Sequence, residues 1–198
     1  MITTSEVARR LGLRPLANVY ECQAEPEWLR VEFISDLHLS DATPATYEVW
    51  AHYLRTTQAD AVFILGDLFE AWIGDDARTP SSFAQRAADV LQESASLRSM
   101  SFMVGNRDFL VGAAMLRDCG VVALPDPTVL DAWGQRILLS HGDELCLSDT
   151  EYQRFRREVR RDAWRLAFLA KPFAERERLA RNMRDTSDAA KRAKFGSK

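Results

Sequence analysis

Four short apolar runs in this sequence are each followed at once by side chains that can bind a metal ion. The runs and the residues after them are Val31 to Ser35 before Asp36-Leu37-His38, Ala61 to Leu65 before Gly66-Asp67, Ser101 to Val104 before Gly105-Asn106-Arg107-Asp108, and Arg136 to Ser140 before His141-Gly142-Asp143. Short apolar runs that end in polar residues predict buried strands. Ligands bind at the carboxyl ends of strands in α/β sheets, so the repetition predicts a metal site at one sheet edge.

Helical segments between these runs predict a layered α/β fold. One begins near Thr43 with Pro44 at a first helical position, one covers residues 82–97, and a short one ends at Gly120. Residues 1–30 have no sustained period and are taken as an N-terminal extension, and residues 31–148 as the core. Residues 149–198 are predicted to be wholly helical, with two helices separated at Pro172.

The charge is divided unevenly along the chain. Residues 150–198 carry 15 Lys and Arg against 7 Asp and Glu, whereas residues 1–149 carry 11 against 22. An acidic region rich in carboxylates suits metal ions, and a basic helical region suits phosphates or an anionic membrane surface. An ordinary solvated helix face would also carry these arginines.

No membrane span or secretory signal is predicted. The longest apolar run of the helical part, Trp164 to Ala170, is interrupted by Arg165 and is far shorter than the ~20 residues that cross a bilayer. Two arginines near the start are not followed by an apolar stretch. The three cysteines lack metal-type spacing, so we expect reduced thiols without a role and a cytoplasmic protein.

The candidate ligands combine carboxylate, amide and imidazole groups without sulfur. They are Asp36, His38, Asp67, Asn106 and His141. Such a set suits Mn, Fe, Zn or Mg, and Mn²⁺ is the natural candidate for a pair of ions with mixed histidine and carboxylate ligands. Two ions about 3.5–4 Å apart derive a nucleophile from water and stabilise in-line displacement at phosphorus. Asp67 is the predicted bridge between them.

Three glycines accompany these ligands. Gly66, Gly105 and Gly142 would let the backbone turn sharply beside a crowded site, although turn chemistry alone would also explain them. Asp108 is expected to orient its neighbours rather than react. His52 lies in a helical stretch and is expected to be a surface or packing residue.

The ordered motifs Asp36-x-His38, Gly66-Asp67, Gly105-Asn106 and His141-Gly142 resemble those of the calcineurin-like metallophosphoesterases. The resemblance implies a sandwich of β-sheets flanked by helices. Most of these enzymes have His after the motif's Asn, whereas this chain has Arg107. A guanidinium is a permanent bidentate donor and suits a diphosphate better than proton donation.

The run from Gly66 to Asp76 and the run from His141 to Cys146 narrow the resemblance to the UDP-2,3-diacylglucosamine hydrolases of lipid A synthesis. This resemblance implies hydrolysis of UDP-2,3-diacylglucosamine to UMP and 2,3-diacylglucosamine 1-phosphate (lipid X), by attack of water on the α-phosphorus. It assigns catalytic roles to Asp67 and Arg107, and phosphate contacts to Asn106 and Arg107.

The same resemblance implies a helical lid over the substrate. Its substrate-binding positions match Asp149, Ser187, Lys191 and Lys194, with the acyl chains between lid and core. The apolar stretch from Trp164 to Phe173, flanked by arginines, would form either a lid and membrane-contacting face or a helix packed on the core. We therefore expect a peripheral protein on the cytoplasmic face of the inner membrane.

The family also supplies two histidines from a Gly-His-x-His motif after the lid, followed by further strands. This sequence contains His38, His52 and His141 and no others. We therefore expect residues 36–141 to supply five of seven family ligands and the closing strands to be missing.

Three other functions remain open from the sequence. A phosphoesterase for another nucleotide would use the same fold and ions. An incomplete homologue, inactive or weakly active, would use its basic helices to bind anionic lipid. Nucleic-acid binding is disfavoured, since no recognition motif accompanies the basic residues.

Overall fold

A computed structural model of the chain describes residues 19–195, with side chains up to residue 184. Within this range seven strands form two sheets, a three-stranded sheet in the order β1-β6-β7 and a four-stranded sheet in the order β2-β3-β4-β5. The strands are β1 (Tyr20–Gln23), β2 (Val31–Ile34), β3 (Ala61–Leu65), β4 (Ser99–Met103), β5 (Val122–Ala123), β6 (Thr128–Ala132) and β7 (Gln135–Leu139).

The four-stranded sheet is parallel throughout and has apolar side chains on both faces. Side chains alternate along a strand, so β3 sends Val62 and Ile64 towards the helices and Phe63 towards the second sheet. Phe63 packs there with Leu130 and Leu139 of the three-stranded sheet. The predicted sandwich is thus confirmed, with helices covering the other face of the parallel sheet.

Two of the four expected strands are less buried than predicted. β3 is buried over most of its length, but Phe33 of β2 is 42% exposed and most of β7 is open to solvent. β7 also lies outside the parallel sheet, since it pairs antiparallel with β6. The expectation that four strands of one sheet carry the ligands was therefore wrong for β7.

The expected boundary at residue 31 is too late. Tyr20–Gln23 forms β1 and pairs in parallel with β6, about a hundred residues further along the chain. The side chain of Asp60 also accepts hydrogen bonds from the backbone of Leu29 and Arg30, at 2.7 and 2.8 Å. Residues 20–30 are therefore part of the fold, and sequence reasoning missed them because so short a strand has no period to detect.

Three helices, α1 (Pro44–Thr56), α2 (Phe83–Ala95) and α3 (Ala113–Asp118), follow the strands of the parallel sheet. α1 begins with Pro44 in its first turn, as predicted. α2 begins after Ser82, whose hydroxyl accepts a hydrogen bond from the backbone of Gln85 and caps the helix. Their apolar faces pack on the sheet through residues such as Leu54 and Leu91.

The C-terminal part contains three helices instead of the two predicted. They are α4 (Thr150–Val159), α5 (Asp162–Leu169) and α6 (Phe173–Phe195). α4 ends at Val159 with Arg160 as its C-cap, Arg161 adopts an extended backbone conformation, and Arg160 donates to the carbonyl of Gly105 in the core at 2.8 Å. A tertiary contact therefore divides a stretch that is continuous in helix propensity. In the residues that the structure describes, no helix combines the length and apolarity that a bilayer crossing needs.

The C-terminal helices are held on the core by aromatic and ionic contacts. Trp164 stacks on buried Phe168 and lies 6.0 Å from the ring of Phe109. Buried Arg176 of α6 donates to Asp76 at 2.9 Å and to the carbonyl of Ile73. These contacts bring α4 to α6 beside the loops that follow the parallel strands.

Candidate metal centre

The loops after β2 and β3 are joined by backbone hydrogen bonds. The amide of Asp36 donates to the carbonyl of Gly66, and that of His38 to the carbonyl of Asp67, each at 3.1 Å. Asp36, His38 and Asp67 adopt φ angles of 56°, 51° and 53°. Such left-handed conformations are strained for residues with a Cβ and cluster at functional sites. The two loops therefore present these three side chains as a fixed set.

Asp67 lies between His38 and His141, the two histidines expected to bind metal ions. Its side chain is almost fully buried, with Oδ2 4.0 Å from Nε2 of His38 and Oδ1 3.7 Å from Nε2 of His141. These separations are too long for hydrogen bonds, but two ligands of one ion with bonds of about 2.0–2.2 Å lie about 3–4 Å apart. Asp36, Asp67 and His141 also place ligand atoms within 4.8 Å of one another.

Both ligand histidines are held through Nδ1, which leaves Nε2 facing Asp67. Nδ1 of His141 lies 3.0 Å from the carbonyl oxygen of Leu65, and Nδ1 of His38 lies 3.0 Å from Oε2 of Glu70. Both partners are acceptors, so a neutral ring carries its proton on Nδ1 and a lone pair on Nε2. Metal-binding histidines are typically oriented in this way.

Asn106 completes the group on the side of His141. Its Oδ1 lies 3.1 Å from Nε2 of His141. In the neutral ring that nitrogen has a lone pair, so two lone pairs face each other and repel unless a cation binds both. The donor set and this pairing fit the divalent ions expected from the sequence.

Burial changes the acid–base properties of the two central carboxyl groups. It raises the pKa of Asp67, against the backbone hydrogen bond from Arg107 at 2.8 Å. It also raises the pKa of Asp108 to about 6, although backbone amides oppose the change. Two divalent ions next to Asp67 would favour its ionised form.

Asp108 connects the loops after β3 and β4. Its side chain is fully buried and accepts from the backbone amides of Asp67 at 3.3 Å, Leu68 at 2.9 Å, Phe69 at 3.3 Å and Gly105 at 2.7 Å. Asp108 therefore holds its neighbours in place, as expected.

Two of the three glycines allow close approach of the loops. A Cβ on Gly66, where φ is +94°, would lie 2.5 Å from Nδ1 of His141, and a Cβ on Gly105 would overlap the carboxylate of Asp67. Gly142 has φ of +87°, and a Cβ there would have no neighbour within 4 Å among the described residues. For Gly142 turn geometry is sufficient, whereas the other two have no room for a side chain.

Three other residues discussed from the sequence, Arg107, Asp149 and His52, lie in different places. Arg107 borders the ligand group and its Nη1 lies 3.3 Å from Oε1 of Glu70. Asp149 caps α4 by accepting from the amide of Tyr152 at 3.1 Å. His52 is exposed on α1, as expected. The side chains of three further candidates lie outside the described residues: Ser187, Lys191 and Lys194.

Four residues that support the site were given no role from the sequence: Glu70, Asp143, Arg160 and Arg184. Glu70 contacts His38, Arg107 and Arg184 of α6. Buried Asp143 accepts from Tyr152 at 2.6 Å and Arg156 at 2.9 Å, and Arg160 reaches Gly105. Glu70 lies in the motif that starts at Gly66, so its position in the sequence could have indicated a role in the site. The contacts of Arg160 and Arg184 depend on how the C-terminal helices dock on the core, and the sequence does not indicate this.

The fold and the two-sided group of candidate ligands are those expected of the calcineurin-like phosphoesterase class. A family model described as calcineurin-like phosphoesterase matches residues 29–189. The chain belongs to this family, whose members use divalent metal ions.

The chain is also similar to curated proteins whose names state an activity. The chain is 51% identical over 160 residues to a UDP-2,3-diacylglucosamine hydrolase of Xanthomonas campestris pv. campestris (strain B100), covering 79% of this chain and 64% of that protein. It is 46% identical over 165 residues to the protein of the same name from Chromobacterium violaceum, covering 82% and 69%. The chain thus spans about two thirds of the length of the curated relatives it matches.

Proposed function

We propose that the chain hydrolyses the pyrophosphate bond of UDP-2,3-diacylglucosamine to UMP and 2,3-diacylglucosamine 1-phosphate, with two divalent ions, Mn²⁺ being the candidate. The relatives at 46–51% identity carry the name of that hydrolase. In the reaction a water oxygen bonds to the α-phosphorus and the bond from that phosphorus to the bridging oxygen breaks. The bridging oxygen leaves with the sugar phosphate.

The placement of Asp67 is the observation that carries the proposal. Its two oxygens face different histidines at 4.0 and 3.7 Å, which is the arrangement that a carboxylate shared by two ions needs. Asp36 and His38 would hold one ion, and Asn106 and His141 the other. Two such ions supply a nucleophile derived from water and offset the charge that develops at phosphorus.

Arg107 and Asn106 are the proposed phosphate contacts. The backbone of Arg107 is fixed by its hydrogen bond to Asp67, and its side chain is 17% exposed. A guanidinium held there would bind diphosphate oxygens through two hydrogen bonds. Asp149, Ser187, Lys191 and Lys194 stay proposals for the sugar and the distal phosphate.

A groove beside the site suits the acyl chains. It has a volume of about 670 Å³ and lies between α6 and residues 71–84, and its lining combines apolar side chains such as Ile73, Phe83 and Phe173 with polar and charged ones such as Asp76, Glu177 and Arg184. Arg184 contacts Glu70 of the ligand loops at 3.2 Å, so the groove opens near the metal centre. A cavity of similar size at the opposite end of the strands contains none of the ligands.

In the apolar stretch of the C-terminal helices, some side chains pack on the core and others are exposed to solvent. Phe168 is buried against the core, whereas Leu166, Leu169 and Phe173 are 70%, 37% and 39% exposed. Exposed apolar side chains among arginines favour contact with an anionic bilayer. They support the proposal that the protein binds the cytoplasmic face of the inner membrane.

A substrate panel with Mn²⁺ tests the function. UDP-2,3-diacylglucosamine, its deacylated form and a simple aryl phosphodiester would be compared, and the reaction repeated in H₂¹⁸O. We expect turnover that depends on the acyl chains and ¹⁸O in UMP alone. Equal turnover of all three substrates would instead favour a general phosphoesterase.

Two further outcomes separate the alternatives. ¹⁸O in the sugar phosphate would contradict attack on the α-phosphorus. Binding to anionic vesicles that persists in chelator, without turnover of any substrate, would favour a lipid-binding homologue.

A further inference from the structure

Glu70 connects three cationic or imidazole groups from three parts of the chain. Its Oε2 lies 3.0 Å from Nδ1 of His38, and its Oε1 lies 3.3 Å from Nη1 of Arg107 and 3.2 Å from Nε of Arg184. The side chain of Glu70 is only 25% exposed. Partly buried contacts of this kind are screened less than surface pairs.

The backbone of Glu70 is fixed next to the first ligand loop. Its amide donates to the carbonyl of Leu39 at 3.0 Å, and Leu39 and Phe69 form a parallel bridge. The backbone of Glu70 is therefore fixed beside His38. The orientation of the Glu70 carboxylate then determines the orientation of the His38 ring.

The two ligand histidines are supported differently. His141 donates to a backbone carbonyl, that of Leu65, which belongs to β3. His38 instead depends on a side-chain carboxylate that an arginine of α6 also contacts. In the part of the chain that the structure describes, Nδ1 of His38 is thus linked to α6 through a shared carboxylate, whereas Nδ1 of His141 contacts a backbone carbonyl of the core.

We infer that Glu70 is a positioning residue that holds His38 as the Nδ1–H tautomer, with Nε2 open to a metal ion, and ties α6 to that histidine through Arg184. This inference deepens the proposed function and rests on it. The contact between Glu70 and His38 is present in the metal-free chain, so the positioning role of Glu70 is measurable without metal or substrate.

Replacing Glu70 by glutamine should invert the tautomer of His38. The amide has one acceptor and one donor group, whereas the carboxylate has two acceptors. Two arginines on one side attract the amide oxygen more strongly than one neutral imidazole N–H does. The amide NH₂ then faces Nδ1, which must accept, so the ring proton moves to Nε2 and blocks the metal-binding lone pair.

The experiment is ¹⁵N NMR of the histidine rings in the metal-free chain at about pH 8.5, where imidazoles are neutral. The chain has three histidines, and His38→Gln and His52→Gln variants assign the signals. We expect Nδ1–H for His38 in the wild type and Nε2–H in Glu70→Gln. Mn²⁺ affinity in Glu70→Gln should fall about 10- to 100-fold while the melting temperature stays close to that of the wild type.

Two control variants separate positioning from helix docking. Arg184→Gln should raise amide exchange in α6 and leave His38 as Nδ1–H, because Glu70 keeps both oxygens. Asp76→Asn weakens another anchor of α6, the ion pair with Arg176, and should also leave the tautomer unchanged.

Several results would overturn the inference. These are Nε2–H in wild-type His38, an unchanged tautomer in Glu70→Gln, or an equal change in Asp76→Asn. If Glu70→Gln does not fold, the wild-type spectrum still tests the inference, because Nε2–H in wild-type His38 would contradict it. Because the spectra need neither turnover nor metal, loss of the proposed hydrolysis would be distinguished from loss of this role.

Discussion

Oδ2 of Asp67 lies 4.0 Å from Nε2 of His38, and Oδ1 of the same carboxylate lies 3.7 Å from Nε2 of His141. A carboxylate aimed in two directions within a buried site is poorly suited to a single ion pair. It is well suited to two cations that share it.

Gly66→Ala should destabilise the chain far more than Gly134→Ala. Both glycines have positive φ, +94° and +75°, but a Cβ on Gly66 would lie 2.5 Å from Nδ1 of His141, whereas no described atom lies within 4 Å of one on Gly134. Gly134→Ala should lower the free energy of unfolding by about 1–2 kcal/mol through backbone strain. Overpacking should add about 1–3 kcal/mol at Gly66. Equal urea-unfolding losses in the two variants would contradict this account of Gly66.

Asp108→Asn should weaken both the fold and metal binding. The amide group would turn a donor towards backbone amides that now donate to Asp108. Leaving two buried donors without acceptors should lower the free energy of unfolding by about 2–5 kcal/mol, and Mn²⁺ affinity by about tenfold or more. Calorimetric titration and urea unfolding measure the two effects.

Asp60→Asn is the matched control for Asp108→Asn. Asp60 also accepts two backbone amides, but both reach the same oxygen, Oδ2, so an asparagine oxygen can replace it. We expect a smaller loss of stability and unchanged Mn²⁺ affinity. A loss of metal affinity as large as that of Asp108→Asn would show that the effect is not specific to the ligand loops.

The anchoring of α6 should weaken in acid. Hydrogen bonding and charge from Arg176 lower the pKa of Asp76. The folded pKa is below the unfolded value of about 3.9, so the stabilisation is complete above that value and is lost as the pH falls through the folded pKa. The stability difference between wild type and Asp76→Asn should be constant from pH 7 to about pH 5 and vanish at lower pH. A difference that grows in acid would contradict this sign.

Leu166→Glu should reduce binding to vesicles that contain phosphatidylglycerol. Leu166 is 70% exposed on α5, and Val49, on α1 of the core, is equally exposed. Loss of one apolar contact should weaken vesicle binding about tenfold, whereas Val49→Glu introduces the same charge and should change it little. Equal sedimentation of both variants with vesicles would remove the membrane-facing assignment of α5.

The ligand group was predictable from the sequence because it depends on local order. Each candidate ligand lies within about four residues of the end of a strand, so the strand pattern that predicts β3 also places Asp67 near its end. His141 reaches the same site from β7, although that strand belongs to the other sheet. The sequence pattern thus correctly predicted that His141 lies close to Asp67, and wrongly predicted the sheet to which its strand belongs.

The parts that sequence reasoning missed depend on contacts between distant residues. β1 is four residues long and is stabilised by pairing with β6 rather than by its own pattern. The break after α4 follows from Arg160 reaching Gly105, and the link from α6 to the site follows from Arg184 reaching Glu70. Helix propensity carries no information on either arginine's partner.

Electron paramagnetic resonance of the Mn²⁺-loaded chain tests the central claim most directly. We expect two Mn²⁺ ions per chain with an exchange-coupled signal in the wild type, because a carboxylate of Asp67 shared by both ions would couple them. In Asp67→Asn the coupling should be lost and the affinity for the second ion should fall about tenfold or more. A wild-type chain that binds one ion, or two ions with uncoupled signals, would contradict the two-metal site.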